Sequence, residues 1–185
     1  WRQEKKLMIK ISQIILYKIL RWKIHGDFQL PKKCILIVAP HTHWIDFFLA
    51  LLIRKAINQE INFIGKKELF IFPLDYILRY LGGVPVERNS KSKTVDLIAE
   101  NFYKKKKFRL GISPEGTRRK VLKWKTGFYY IALKTKVPII SVTLNFEKKN
   151  TTFSKPFYVT GDIEKDIKKL KVFFKNVKGK VPNYS

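Results

Sequence analysis

A single cysteine, Cys34, in 185 residues excludes an intramolecular disulfide framework and a zinc site built from several cysteines. It lies in an apolar run, where a cysteine reads as a small buried hydrophobe. Nine glycines and eight prolines are too few for a collagen-like or linker-dominated chain. No window reaches the ~18–20 uncharged apolar residues that a membrane-spanning helix needs. No apolar stretch is followed by the small-residue cleavage site of a secretory signal. The chain starts at Trp1 without a methionine, so an incomplete N-terminus is expected. Acidic residues are scarce: 14 Asp and Glu face 39 Lys and Arg, a net charge of +25. Such a surplus calls for a polyanion, whether nucleic acid, an anionic membrane surface or an anionic substrate. A lysine-rich solvated surface is the plainer reading of the same number.

What is there suits one globular domain: 45% hydrophobic and 29% charged residues. Between Lys5 and Lys23 the apolar residues Leu7, Met8, Ile11, Ile14, Ile15 and Ile19 recur at three and four. With Ile9, Leu16 and Leu20 in the same set, this predicts a helix with one apolar stripe, punctuated by Lys5, Lys6, Lys10, Lys18 and Arg21. Such a basic amphipathic helix suits a membrane interface, and a core-packed first helix suits the pattern as well. An extended piece over Lys23–Phe28 follows. Cys34–Ala39 is a continuous apolar run with β-branched residues, the mark of a buried parallel strand. Helices are predicted at Asp46–Arg54, Pro73–Leu81, Thr94–Lys107 and Gly127–Lys136, with a last one from Ile163 to about Asn176. Strands are predicted at Asn62–Gly65, Val84–Val86, Phe108–Ser113 and Ile139–Asn145, with a last one near Phe157–Thr160. The Pro at position 85 marks an edge or a strand start. Strands alternating with helices predict a single α/β domain with a mostly parallel sheet flanked by helices. Residues 1–22 would form the N-terminal amphipathic helix and residues 23–185 the domain.

In such sheets chemistry gathers in the loops at the carboxyl ends of strands. Three such loops carry reactive side chains. In Ala39-Pro-His-Thr-His-Trp-Ile-Asp46, His41 leaves a strand and Asp46 starts the next helix. A carboxylate on one ring nitrogen fixes the tautomer and leaves the other nitrogen free to take a proton. Alone, such a pair is more often structural. In Gly82-Gly-Val-Pro-Val-Glu-Arg88, two glycines allow a tight turn and a strand then projects Arg88, a residue type suited to bidentate phosphate binding. In Ile112-Ser-Pro-Glu-Gly-Thr-Arg118, Gly116 permits close backbone approach to a ligand. Glu115, Thr117 and Arg118 there supply an acceptor, a hydroxyl and a cation.

The order His-x4-Asp, Gly-Gly-x-Pro-x-x-Arg, Pro-Glu-Gly-Thr-Arg and Val137-Pro-Ile-Ile140 resembles the glycerolipid acyltransferase family, whose best-known bacterial members are lysophosphatidate acyltransferases. All four blocks are present in the family order, over roughly Ile24 to Lys180. The resemblance implies a glycerol-3-phosphate acyltransferase-like domain in which His41 is the general base on an acceptor hydroxyl and Asp46 orients it. The alkoxide would attack the thioester of a fatty acyl-CoA or acyl-carrier protein, with no metal, no cofactor and no covalent acyl-enzyme. Arg88 carries over as a phosphate ligand for the acceptor, and Glu115, Gly116, Thr117 and Arg118 as the acceptor-binding loop. Val137–Ile140 carries over as part of the apolar side of the site, and Lys66 as a basic position between the first two blocks. The chain departs from the family at His43, where a serine is usual. It also shows one N-terminal helix where bacterial lysophosphatidate enzymes tend to carry two.

The expected partners are therefore an acyl thioester, a lysolipid acceptor such as 1-acylglycerol 3-phosphate, and an anionic membrane surface. The expected location is peripheral, on the cytoplasmic face. Glycerol 3-phosphate or a lyso-aminolipid are alternative acceptors. The competing class is a basic nucleic-acid-binding module, but no RNA-recognition, zinc-finger or helix-turn-helix signature accompanies the charge. No nucleic-acid partner is expected.

Overall fold

The computed structural model describes residues 2–87 and 91–185. Helix α1 (Arg2–Gln13) continues through a π-helical stretch, Ile14–Ile19, into strand β1 (Lys23–Gly26). Then come β2 (Lys33–Ala39), α2 (Ile45–Ala56), β3 (Asn62–Lys66), α3 (Leu74–Tyr80), β4 (Gly83–Val86), α4 (Lys91–Lys104) and β5 (Phe108–Ile112). The chain ends with α5 (Gly127–Thr135), β6 (Ile139–Thr143), β7 (Asn150–Phe153), α6 (Ile163–Val172) and a 3₁₀ turn, Pro182–Tyr184.

The strands form one sheet in the order β1-β7-β6-β2-β5-β3-β4. The five from β6 to β4 run parallel, while β7 is antiparallel to β6 and β1 is parallel to β7. β2 sits in the middle and is covered on both faces, which is why it reads as an unbroken apolar run. Its alternate side chains serve two cores. Ile35 and Ile37 pack with Ile98 and Phe102 of α4, Phe128 and Ile131 of α5, and Leu170 of α6. Cys34 and Leu36 pack with Leu49 and Ile53 of α2 and with Leu16. Burial pushes the Cys34 thiol up to about 12, despite the nearby Arg109 guanidinium.

Right-handed crossovers put α2 and α3, which move outward along the sheet, on one face, and α4 and α5, which return, on the other. Contacts agree. Phe63 of β3 meets Phe47 of α2 with ring centroids 4.9 Å apart. Its register partner Gly83 faces the Leu78 carbonyl of α3. β4 is an edge strand, so Pro85 leaves no ladder donor missing.

The strand expected near Phe157–Thr160 does not form. Phe157 makes one bridge, to Ile139, between Pro156 and a turn. Thr160 then gives its N–H (2.6 Å) and hydroxyl (3.0 Å) to the buried carboxylate of Asp166, which pulls the chain out of the sheet. The seventh strand is Asn150–Phe153 instead, a short, half-polar segment.

Candidate active site

The parallel strands end at one edge, and the loops after β2 and β5, neighbours in the sheet, meet there. α2 begins with Ile45 and Asp46, and the first turn of a helix favours an acidic residue. The Asp46 carboxylate folds back over the loop. Its Oδ2 accepts the N–H groups of Thr42 (2.7 Å) and His43 (2.8 Å), and His41 Nδ1 lies 3.2 Å away. Asp46 is 1% exposed and His41 25%. One carboxylate oxygen thus holds the loop and the imidazole together. With Nδ1 turned to the carboxylate, Nε2 is the nitrogen that can take a proton from an outside hydroxyl.

The loop holds two histidines, and the structure separates them. His43 Nδ1 accepts the N–H of Ile45 at 3.2 Å, so its ring is tied to the main chain with no carboxylate behind it. His41 has the carboxylate.

The loop after β5 joins the site through Glu115. Its Oε2 accepts the main-chain N–H of His41 at 2.7 Å, pinning the loop after β2 to the loop after β5. Burial pushes the Glu115 carboxyl above the ordinary range, and the nearby Asp46 charge adds to this. The His41 N–H and imidazole act against it. Gly116 adopts φ +65°, the left-handed region. The space beside its Cα is filled by the Lys125 side chain, with a hypothetical Cβ only 2.6 Å from it. The tight approach that glycine permits is therefore to Lys125. The Lys125 N–H donates to the Pro114 carbonyl at 2.8 Å and closes the loop.

His41, Asp46 and Glu115 are thus brought into contact. Thr117 and Arg118 follow on the same turn, both exposed. Thr117 Oγ1 accepts the Arg119 N–H at 3.4 Å. Lys66 ends β3 at the same edge, exposed, opposite Val86, and makes no hydrogen bond or ion pair with the trio among the described residues. Arg88 lies outside the described residues. Val137–Ile140 is not at the site. Ile139 pairs with Ile35 near the start of β2, and Ile139 and Ile140 are buried in the two cores. His41 lies six residues beyond Ile35, at the other end of the strand, which at 3.3 Å per residue is roughly 20 Å away.

One support was invisible in the sequence. The C-terminal segment runs behind the loop after β2, where the Val181 N–H donates to Thr42 Oγ1 at 3.1 Å. Gly179 lets it come that close, because a Cβ there would sit 2.6 Å from the same oxygen. The only hint was a glycine among lysines, Lys178-Gly-Lys180. Two surface concavities of about 450 and 360 Å³ lie towards the β1–β7–β6 side of the sheet and are lined by none of His41, Asp46 and Glu115.

A family model described as Acyltransferase matches residues 21–145, a span that takes in all three catalytic-edge loops. The chain is 29% identical over 141 residues to the chloroplastic 1-acyl-sn-glycerol-3-phosphate acyltransferase of Brassica napus, covering 72% of this chain and 40% of that protein. It is 38% identical over 88 residues to the 1-acyl-sn-glycerol-3-phosphate acyltransferase of Escherichia coli, covering 44% of this chain and 36% of that protein. The chain therefore spans about two fifths of the length of these relatives. The crystal structure of the 1-acyl-sn-glycerophosphate acyltransferase of Thermotoga maritima superposes with a TM-score of 0.60 at 19% identity. The match covers 93% of this chain and 78% of that one, and it shows the shared fold.

Proposed function

The chain belongs to the acyltransferase family, and from that premise we propose that it moves a fatty acyl group from an acyl thioester to the hydroxyl of a lysophospholipid. The proposed acceptor is of the 1-acylglycerol 3-phosphate type, as in the names of its relatives. The observation that carries the reading is His41 Nδ1 held 3.2 Å from the buried Asp46 carboxylate. Nε2 takes the proton of the acceptor hydroxyl as its oxygen forms a bond to the thioester carbonyl carbon. The tetrahedral intermediate expels the thiolate, which recovers the proton from the imidazolium. The products are an ester and a free thiol, with no covalent enzyme intermediate. The donor is acyl-CoA or acyl-carrier protein. Arg88, Lys66, Thr117 and Arg118 are the proposed ligands of the acceptor's phosphate, Arg being suited to bidentate binding.

The enzyme would work from the surface of the bilayer that holds its acceptor, and we place it peripherally on the cytoplasmic face. No described helix is long and apolar enough to cross a membrane. α1 and the π-helical stretch after it pack on α2 through Leu16 of that stretch and a hydrogen bond from Gln13 Nε2 to the Ala56 carbonyl (3.0 Å). Leu7, Met8 and Ile11 of α1, with Ile14 and Ile19 of the π-helical stretch, point to solvent. An apolar stripe left uncovered beside Lys5, Lys6, Lys10 and Lys18 supports an interfacial helix over a core-packed one.

The test offers purified protein labelled acyl-CoA or acyl-carrier protein with a lysolipid panel, products being read by mass spectrometry. Wild type should yield the diacyl product and free thiol in equal amounts, and His41→Ala should not. Thioester loss without an acylated acceptor would refute the transfer. Binding to anionic vesicles should weaken with salt, since the Debye length shrinks from ≈ 10 Å at 0.1 M to ≈ 3 Å at 1 M.

A further inference from the structure

α3 and the turn before it are apolar yet almost unpacked. No residue of α3 is buried. In the stretch Leu69-Phe-Ile-Phe-Pro-Leu-Asp-Tyr-Ile-Leu-Arg-Tyr80, Phe72 is 83% exposed, Tyr76 73% and Tyr80 88%. Leu69, Ile71 and Ile77 are half or more exposed. Tyr76 and Tyr80 lie four apart on one line along α3, and the Phe72 ring, in the turn before the helix, meets Tyr76 with ring centroids 6.4 Å apart. An apolar patch of this kind on a folded domain marks an interaction surface.

Its position says what kind. α3 lies on the same face of the sheet as α2, over β3 and β4, whereas Leu16, just after α1, shares the core on that face with Leu49 and Ile53 of α2 and with Val142 of β6 and Phe153 of β7, which lie across β2 from β3 and β4 in the sheet. The two exposed apolar helices, α1 and α3, therefore flank α2 on one face. Between them, where α2 begins, Trp44 and Phe48 are also exposed, and Trp44 adjoins His43 in the catalytic loop. Aromatic contacts run on from Trp44 through Phe48 and Phe47 to Phe63, at centroid distances of 5.6, 5.6 and 4.9 Å. The turn leading into α3 leaves the sheet at Lys66, on the edge that carries the catalytic loops.

We propose that α3 is a second membrane-inserting element, coplanar with α1, so that the α1–α2–α3 face lies on an anionic bilayer with the catalytic edge open to it. The proposal rests on the membrane reading given above and adds the second contact and the orientation. Charge selects the occupant. At +25, two copies repel each other, whereas an anionic lipid surface attracts the chain. Tyrosine at two positions of the segment, 76 and 80, suits the headgroup level, with an apolar ring and a polar tip. Two anchors at either side of α2 would fix the angle of the domain, which one helix cannot do.

The test uses variants of the full chain that each carry one added cysteine, labelled with an environment-sensitive thiol fluorophore. Cys34 is buried and stays unlabelled under native conditions. Label goes on Leu7→Cys in α1, Tyr76→Cys in α3 and Val172→Cys, exposed on α6 of the opposite face. With vesicles of phosphatidylglycerol and phosphatidylcholine, blue shifts at 7 and 76 and none at 172 support the proposal. A shift at 7 without one at 76 overturns it and leaves the α1 reading standing. No shift at either overturns both. A shift at 172 equal to that at 76 overturns the orientation. A shift at 76 without lipid that grows with protein concentration overturns it in favour of a second copy. Replacing Phe72, Tyr76 and Tyr80 together by serine, which removes no buried contact, should lower vesicle partitioning about tenfold or more. An unchanged partition coefficient would also overturn the proposal.

Discussion

Asp46→Asn is the sharpest probe of the site, because one oxygen of this buried side chain serves three groups. Oδ2 accepts from Thr42 and His43 and faces His41 Nδ1, while Oδ1 is buried without a partner. In asparagine the amide oxygen can keep the Oδ2 place, so the loop and the tautomer survive. The NH2 then occupies the unpartnered Oδ1 site, and leaving it buried costs about 1–3 kcal/mol. What is lost outright is the negative charge opposite the imidazolium of the proposed transfer. At an effective dielectric near 20, unit charges about 4 Å apart interact by about 4 kcal/mol, an upper bound here. At about 1.36 kcal/mol per tenfold, that sets a ceiling of roughly 10³-fold on the loss in turnover, with ~10² the central expectation. His41→Ala removes the proposed base and should lose ~10²–10⁴-fold. The assay is release of free thiol from an acyl thioester in the presence of a lysolipid acceptor. Far-UV circular dichroism and a melting curve on each variant confirm the fold. The loss from Asp46→Asn should equal or fall short of the loss from His41→Ala. A folded His41→Ala protein within tenfold of wild type would refute the mechanism. A larger loss from His43→Ala than from His41→Ala would mean that the wrong histidine has been assigned.

Glu115→Gln keeps an acceptor for the His41 N–H but cannot ionise. Because burial raises the Glu115 carboxyl, wild type loses stability as pH rises from the unfolded value, near 4.3, through the folded one. The melting temperature of Glu115→Gln relative to wild type should therefore be more favourable at pH 7 than at pH 4, and a flat difference would contradict the burial argument. Asp166 is the opposite case. Burial alone would raise its carboxyl, but hydrogen bonds from Thr160 and Tyr129 outweigh burial and hold it below the ordinary range. Its contribution is present above about pH 3.9 and is lost as pH falls through the folded value. Asp166→Asn should thus be destabilised at pH 7 in chemical denaturation, and its deficit should shrink in acid. Gly179→Val should push the C-terminal segment off Thr42, costing about 1–3 kcal/mol. At ≈ 2–4 °C per kcal/mol for this size, differential scanning fluorimetry should show a clear drop in Tm, with a fall in kcat. Arg118→Ala should reduce kcat/KM for a phosphorylated acceptor roughly ten- to hundredfold, as a charged hydrogen bond of about 1.5–3 kcal/mol implies. An unphosphorylated acceptor should be spared, and equal losses on both would make Arg118 structural.

Much of this protein is local in origin and so legible along the chain. The run Cys34–Ala39, apolar at every position, has no stable place except a strand covered on both sides, and β2 is that strand. Alternation of strand and helix then demands a parallel core, and a parallel core puts His41, Lys66 and Glu115 at one edge, because every strand ends there. β7 is not legible along the chain, because Asn-Thr-Thr-Phe has neither the length nor the apolar content of a strand. It is held by its neighbours β1 and β6, not by its own preference. Whether Phe157–Thr160 could join the sheet turned on Asp166, a residue in the next helix that claims the Thr160 donors. The pairing of Asp46 with His41 needed only a five-residue loop, whereas the bond from the His41 N–H to Glu115 spans 74 positions and no local pattern encodes it. The block Val137–Ile140 is conspicuous in the chain, yet register sets it at the far end of the sheet from the chemistry. The first helix shows the same limit from the other direction. A stripe at intervals of three and four says that one face is apolar, but the spacing is identical whether a core or a bilayer is to cover it. Only the packing of Leu16 and Gln13 against α2 turns Leu7, Ile11 and Ile14 outward, because contact with the rest of the chain, unlike periodicity, has a direction.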